Sequence, residues 1–304
     1  MRCLHPVLAR QWQDRIMPDG TLRKVKTNSF HYVPCGKCVS CLSRRRNDWT
    51  FRLSKEQLGS SYSFFLTLTY DNDQIPIRIR ENVPYFVFNK KHVQDYLKRV
   101  RYYVHELNSD ILCRYFCVSE YGSKGKRPHY HMQFFVKNDN SFKYYKQICN
   151  ILKENWKFGY FQRKVTSPAN IHYVTKYCIK SLDHVDPICI DSCFILMSKR
   201  PYIGECAESD LEKQPDDMPV VFSSGSKLAM PRIYRNHLGK IGFGQPESIE
   251  DPRFNSITYD QMKCEYYKLH GSFDAEKFAK YVNCRVRRFE QDAIRRQLCR
   301  NEKL

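Results

Sequence analysis

The apolar positions change period along the chain, and each change marks an element. Residues 61–70, SYSFFLTLTY, form a β-branched and aromatic run that predicts a buried strand, while 75–80, IPIRIR, alternate like a short exposed one. After Asn89 the period lengthens. Val93, Tyr96, Leu97, Val100, Val104 and Leu107 recur at helical spacing, with Asn89 placed as the N-cap. Two more strand patterns, ILCRYFCV (111–118) and HYHMQFFV (129–136), flank a glycine-bearing turn. A second helical stripe joins Phe142, Tyr145, Ile148, Leu152 and Trp156, and YFQRKV (160–165) returns to strand. Ser167 followed by Pro168 starts a third helix, the serine as N-cap and the proline in the first turn. The order strand, helix, strand, strand, helix, strand predicts an α+β domain of the split βαβ, ferredoxin-like type. Its central antiparallel sheet would have one face covered by helices and the other left for a site.

Composition divides the chain around this core. Residues 1–58 form an arm with a cysteine cluster and a basic helix, 59–185 the core, 186–220 a linker, and 221–304 a basic region ending in a helical tail. Within the linker, ECAESDLEKQPDD (205–217) is acidic and reads as exposed.

Charge narrows the partners. Lys plus Arg number 51 against 32 Asp plus Glu, a net +19 that favours a polyanion. No apolar run approaches the roughly 18 residues of a spanning helix, and MRCLHPVLARQWQDR lacks the apolar core of a signal peptide. A nucleic-acid partner inside a cell is therefore expected over a membrane. The 14 cysteines suit a reducing compartment, as thiols or metal ligands.

Strand alternation gives the first candidate chemistry. His129, His131 and Gln133 share one face of their strand, and Tyr130, Met132, Phe134 and Val136 fill the core side. Two imidazoles two residues apart can converge on one metal ion, and Glu120, across the hairpin from His129, could add a carboxylate. Asp71 and Asp73 are competing carboxylates. Such a set leaves coordination positions open, which suits a metal-assisted nuclease or a non-haem iron oxygenase.

The sequence YVTKYCIK (173–180) gives the second. At ~100° per residue, Tyr173, Lys176, Tyr177 and Lys180 fall within about a 100° arc. Ile171, Val174, Cys178 and Leu182 occupy the opposing arc, so the tyrosines are expected outside the core. With 21 tyrosines in the chain, about one Tyr-x-x-x-Tyr pair arises by chance, so the spacing alone decides nothing.

The motifs in combination are more specific. RPHYHMQFF resembles the His-hydrophobe-His motif of the HUH endonucleases, FLTLTY their first motif and YVTKYCIK their tyrosine motif, in the family's order over residues 61–182. PCGKCVSCLSRRRNDWTFRL, FLTLTYD, SEYG before RPHYH, and MPRIYRNHL together resemble the replication initiators of the small single-stranded DNA phages of the gokushovirus branch. Tyr130 departs from the usual aliphatic at the middle of the histidine motif. The resemblance implies a rolling-circle initiator acting in the cytoplasm of a bacterial host, with host helicase and replication machinery as partners. His129, His131 and Glu120 would bind Mg2+ or Mn2+. Tyr173 and Tyr177 would attack single-stranded origin DNA to form a 5′-phosphotyrosine and later religate it, with Lys176 and Lys180 beside them. Other readings are an HUH transposase or plasmid relaxase, and a non-catalytic nucleic-acid-binding module.

Cys35, Cys38 and Cys41 form C-x2-C-x2-C, for which random expectation is only about 0.03. With Cys3 or His5 as fourth ligand they would make a structural zinc site. An iron-sulfur cluster fits less well, because the next ligand position falls on Arg45. In SRRRNDWTFRLSK, Arg44, Arg45, Arg46 and Arg52 surround Trp49, an arrangement suited to phosphates and stacked bases of single-stranded DNA. The arginines of the tail, from Arg285 to Arg300, extend the same reading.

Overall fold

The computed structural model describes residues 7–18, 21–36, 38–122, 125–180, 191–213, 220–223, 226–238, 266–272, 274, 277–278 and 280–281. In chain order the elements are β1 (Val7–Ile16), β2 (Leu22–Val33), α1 (Val39–Leu58), β3 (Tyr62–Thr69), β4 (Ile77–Arg80), β5 (Val83–Phe86), α2 (Lys90–Leu107), β6 (Leu112–Tyr121), β7 (Pro128–Lys137), α3 (Tyr145–Glu154), β8 (Phe161–Val165), α4 (Pro168–Lys180), β9 (Ile195–Met197), α5 (Glu208–Glu212), β10 (Val220–Ser223), β11 (Ser226–Ala229) and α6 (Arg232–His237). The chain forms two compact units, residues 1–44 with 242–304, and residues 45–241. The first holds the antiparallel β1–β2 hairpin, which the sequence reading did not foresee, and the three cysteines.

The second unit is built on a five-stranded antiparallel sheet of order β8-β3-β7-β6-β9. Because β3 and β7 are central, the β3–α2–β6 connection passes over β7 and the β7–α3–β8 connection over β3, so two strand-helix-strand units interleave. The caps fall where the sequence places them. Asn89 Oδ1 accepts from the Lys91 and His92 N–H groups at 3.0 and 3.3 Å, and Ser167 Oγ accepts from Asn170 N–H at 3.3 Å.

Alternation sends Phe64, Leu66, Leu68, Tyr130, Met132, Phe134 and Val136 to one face, where Val93, Tyr96, Leu97, Val100 and Val104 of α2 and Ile148 and Leu152 of α3 cover them. The opposite face is not left open as expected. Phe65, Phe116, Val118 and Phe135 pack there against Leu53 of α1, Ile171, Val174 and Tyr177 of α4, and Ile203. Burial at about 25 cal/mol per Å2 of apolar surface rewards covering both faces, so the space for chemistry is confined to one end of the second layer.

Two local expectations are corrected. Phe142 is not on the α3 stripe: it sits at φ 57 and is 53% exposed. Asp139 holds this turn, its carboxylate accepting from Lys143 N–H at 3.0 Å and Tyr144 N–H at 3.2 Å, which delays the helix to Tyr145. The acidic stretch from 205 is helical rather than an exposed linker, since Ala207 and Leu211, four apart, are buried with Phe51, Met230 and Tyr234. Glu208 there pairs with His237 Nδ1 at 3.1 Å and accepts from the Tyr202 hydroxyl; residues 214–217 lie outside the described residues.

A buried charge cluster ties α1 to the sheet. Glu56 is fully buried, with Arg114 Nε at 2.7 Å and Lys137 Nζ at 2.9 Å from Oε1, and Gly204 N–H donating to Oε2 at 2.7 Å. Loss of one partner from such a buried set costs about 3–5 kcal/mol, because the remaining charges stay desolvated. Gly204 has φ 83, and a Cβ there would lie 2.5 Å from Tyr234 Oη, so this approach requires glycine.

Candidate active site

The register of the sheet assembles the site. Thr67 and Val118 flank His131, while Thr69 and Glu120 flank His129. His131 is the hub. Its Nε2 lies 3.0 Å from Glu120 Oε2 and its Nδ1 3.2 Å from Thr67 Oγ1. Its ring stacks on Phe65 at 5.5 Å and 9°, and meets Tyr173 edge-on at 5.1 Å and Tyr177 at 5.8 Å. Tyr173 and Tyr177 contact each other at 5.0 Å.

The hydroxyls of both tyrosines also reach Glu120, and Tyr177 donates to Tyr173. Burial raises the Tyr173 phenol above its ordinary value, Glu120 adds to the rise, and the bond from Tyr177 opposes it. Tyr177 is raised further, first by burial, then by its bond to Tyr173 and by Glu120. The two are unequal: Tyr173 is 41% exposed and Tyr177 only 6%. The expectation that both stand apart from the apolar stripe holds for Tyr173 alone. Tyr177 packs with Ile171 and Val174, because the site and the core share the side of α4 that faces the sheet.

His129 lies beside this cluster, its ring 6.0 Å from that of His131. Burial lowers its pKa, with His131 and Arg127 acting in the same direction and Glu120 against them. Its Nδ1 is buried without a hydrogen-bond partner. A neutral imidazole with an unpartnered nitrogen has the chemistry of a metal ligand, and with His131 and Glu120 it makes an N2O donor set. Among the described residues, the three ligand atoms are not drawn as close as those of the cysteine trio below. Gly122 gives His129 its place: a Cβ there would fall 2.8 Å from His129 Cε1.

Of the other candidates, Lys176 is partly buried on α4, and the side chain of Lys180 lies outside the described residues, as does Leu182. Asp71 and Asp73 are exposed, and Glu120 is the carboxylate that acts on His129. Thr67, Phe65, Arg127 and Gly122 were missed. Strand parity alone could have found Thr67, since Leu66 and Leu68 claim the core side.

The basic helix is partly absorbed into packing. Trp49 lies 4.6 Å from Phe116, and the Arg52 guanidinium sits 4.0 Å over Trp49 while its Nε donates to Ile203 O at 2.9 Å. Burial lowers the Arg52 pKa. Arg44 is exposed, Arg45 and Arg46 partly so, and the Arg46 charge acts on His172, the neighbour of Tyr173. The tail arginines from Arg285 to Arg300 lie outside the described residues.

The ligand atoms of Cys35, Cys38 and Cys41 all lie within 4.8 Å of one another. Cys38 N–H donates to Cys35 Sγ at 3.3 Å, and the Cys35 and Cys41 sulfurs are 4.0 Å apart. The trio is a metal-binding cluster in form and compatible with structural zinc. Cys3 and His5 lie outside the described residues.

Fold and site define an α+β protein that brings two tyrosines, a histidine and a glutamate together on an antiparallel sheet. Residues 63–182, which hold all four, match the family model of the replication-associated protein ORF2. The chain is similar to the replication-associated protein ORF4 of Chlamydia phage 1, with 25% identity over 86% of this chain and 66% of that protein. It is also similar to the replication-associated protein ORF2 of Spiroplasma virus 4 (30%, over 49% and 48%) and to the replication-associated protein VP4 of Bdellovibrio phage phiMH2K (27%, over 78% and 76%). The chain thus spans just under two thirds of the first relative and about half of the second. No solved structure matches it. These matches support a replication initiator of the gokushovirus type, as the motifs implied. No described helix is long and apolar enough to cross a membrane.

Proposed function

We propose that the protein initiates rolling-circle replication by nicking single-stranded origin DNA and rejoining it through a tyrosine-linked intermediate. The observation that carries this reading is the convergence of Tyr173, Tyr177, His131 and Glu120 within the matched region. A tyrosine oxygen attacks the phosphorus, the P–O3′ bond breaks, and the products are a 5′-phosphotyrosine and a 3′-hydroxyl that takes up the proton. The reverse attack by a 3′-hydroxyl reseals DNA and returns the phenol, so no ATP is needed. The interleaved strand order supports a ferredoxin-like HUH core.

Glu120, His129 and His131 would hold the divalent ion, and their mixed nitrogen and oxygen donors suit Mn2+ at least as well as Mg2+. When bound, that ion polarises the scissile phosphate and offsets charge on its oxygens. His131 fixes the tyrosines through ring contacts, and Glu120 holds their hydroxyls near the metal ligands. Cys35, Cys38 and Cys41 would hold structural zinc. On this reading the DNA partner is origin DNA, the cellular partners are host helicase and replication machinery, and the setting is the bacterial cytoplasm.

Incubation with single-stranded origin DNA and Mn2+ is expected to yield a covalent adduct, visible as a denaturant-resistant shift on a gel. The double variant Tyr173→Phe/Tyr177→Phe is expected to yield none. An adduct that persists in the double variant overturns the tyrosine assignment.

A further inference from the structure

At the end of the sheet away from the histidines lies an open cleft of about 820 Å3, bounded by the start of β3, the end of β8 and the turn before α3. Tyr62, Phe142 and Tyr145 supply its aromatic wall, and Lys143, Lys146 and Gln57 are among its polar groups. None of its lining side chains is a carboxylate. Phe142 stacks on Tyr62 at 5.2 Å and 25°, and Tyr145 meets Tyr62 edge-on at 5.1 Å. Phe142 is the unusual member. A large aromatic ring is held 53% exposed on a left-handed backbone, φ 57, by the buried carboxylate of Asp139, which also accepts from Tyr62 Oη at 2.7 Å. A conformation this sparsely populated persists because its surroundings enforce it, and such positions cluster at ligand sites.

We infer that this cleft is a second binding site of the protein, which takes unstacked bases of a single-stranded nucleic acid onto Phe142 and its neighbours. Every base has a π-face to stack, and Lys143 and Lys146 answer the phosphates. The cleft is joined to the tyrosines by the exposed edge strand β8. Lys164 is paired with Phe65, whose ring lies 6.0 Å from that of Tyr173, and Val165 lines the cleft. From Tyr62 to Thr67 or Thr69 is five to seven strand positions, about 17–24 Å at ~3.4 Å per residue. A bound strand would therefore span several nucleotides between cleft and reaction. That path rests on the nicking reaction proposed above; the affinity of the cleft for single strands does not.

Fluorescence anisotropy with a labelled single-stranded oligonucleotide, a matching abasic strand and a duplex tests the site on the full chain. Phe142→Ala is expected to weaken binding of the single strand by roughly fivefold or more and to leave the abasic strand and the duplex unaffected. Lys146→Ala is expected to lower the slope of log affinity against log salt by about 0.7. Both side chains are exposed, and circular dichroism checks that the fold is kept. An unchanged affinity in Phe142→Ala, or an equal loss on the abasic strand, overturns the inference. Tyr173→Phe/Tyr177→Phe is expected to bind single strands as the parent does, so loss of adduct and loss of binding report on different sites.

Discussion

Strand β7 carries Tyr130 and His131 side by side, and the two faces of the sheet put the same residue types to opposite uses. On the α2 face, Tyr130 Oη accepts from Asn89 N–H at 2.9 Å and shares a hydrogen bond of 2.9 Å with Tyr70, whose hydroxyl lies 3.2 Å from His92 Nδ1. On the α4 face, Tyr173 and Tyr177 surround His131. Both clusters contain two tyrosines and a histidine. The hydrogen bonds of the first end on backbone, and it is sealed from solvent at Tyr70 and Tyr130; the second ends on the Glu120 carboxylate and reaches solvent through Tyr173. Burial raises the phenols of both, so a perturbed tyrosine does not distinguish scaffold from chemistry here. The carboxylate and the access do.

Substitutions that treat the faces differently test this contrast. Glu120→Gln is expected to have the largest effect, lowering the rate of adduct formation by about 100-fold or more with little change in denaturant midpoint, since even outer partners of metal ligands are worth 10–100-fold. Gly122→Ala comes next. Its new methyl group pushes on His129, and the Mn2+ concentration giving half-maximal adduct is expected to rise about tenfold. Tyr130→Phe leaves the Asn89 N–H without its partner and is expected to cost about 1–3 kcal/mol in urea unfolding, with adduct formation per folded molecule unchanged. A loss of activity without loss of stability in that variant would break the contrast.

The smallest effect concerns pH. Asn89 Oδ1 is taken by two N–H groups, so its Nδ2 donates to His92 Nε2 at 3.0 Å, which fixes a neutral ring with the proton on Nδ1. Burial, the leading cause, lowers the His92 pKa below its ordinary value. Below about pH 6.5 the unfolded chain takes up a proton that the folded chain resists. This contribution to stability is therefore present above that pH and lost as pH falls through the folded value. Urea midpoints are expected to fall from pH 7 toward pH 5, and to fall less in His92→Gln.

Much of this was legible in the sequence, and the misses have a common cause. Asn89, Ser167 and Pro168 act locally, so their roles follow from a few neighbouring residues. The alternation through His129 to Val136 also needs nothing beyond the strand itself. What escaped depends on packing between distant segments. Trp49 and Arg52 look like a DNA-binding face until Phe116 and Ile203 meet them. Tyr177 looks exposed until the sheet lies beneath α4. Nothing along the chain marks Glu56, a single acid in a basic helix, as the partner of Arg114 and Lys137.

The Tyr130 departure from the usual aliphatic then acquires a use. In an antiparallel sheet a slip of one position exchanges the faces of a strand, which here would carry both imidazoles into oil and a phenol into the site. With an aliphatic at 130, only hydrophobicity would oppose that error. The hydroxyl adds a directional check against the backbone of Asn89, so the folding chain proofreads the alignment of its catalytic strand from the side where no catalysis occurs.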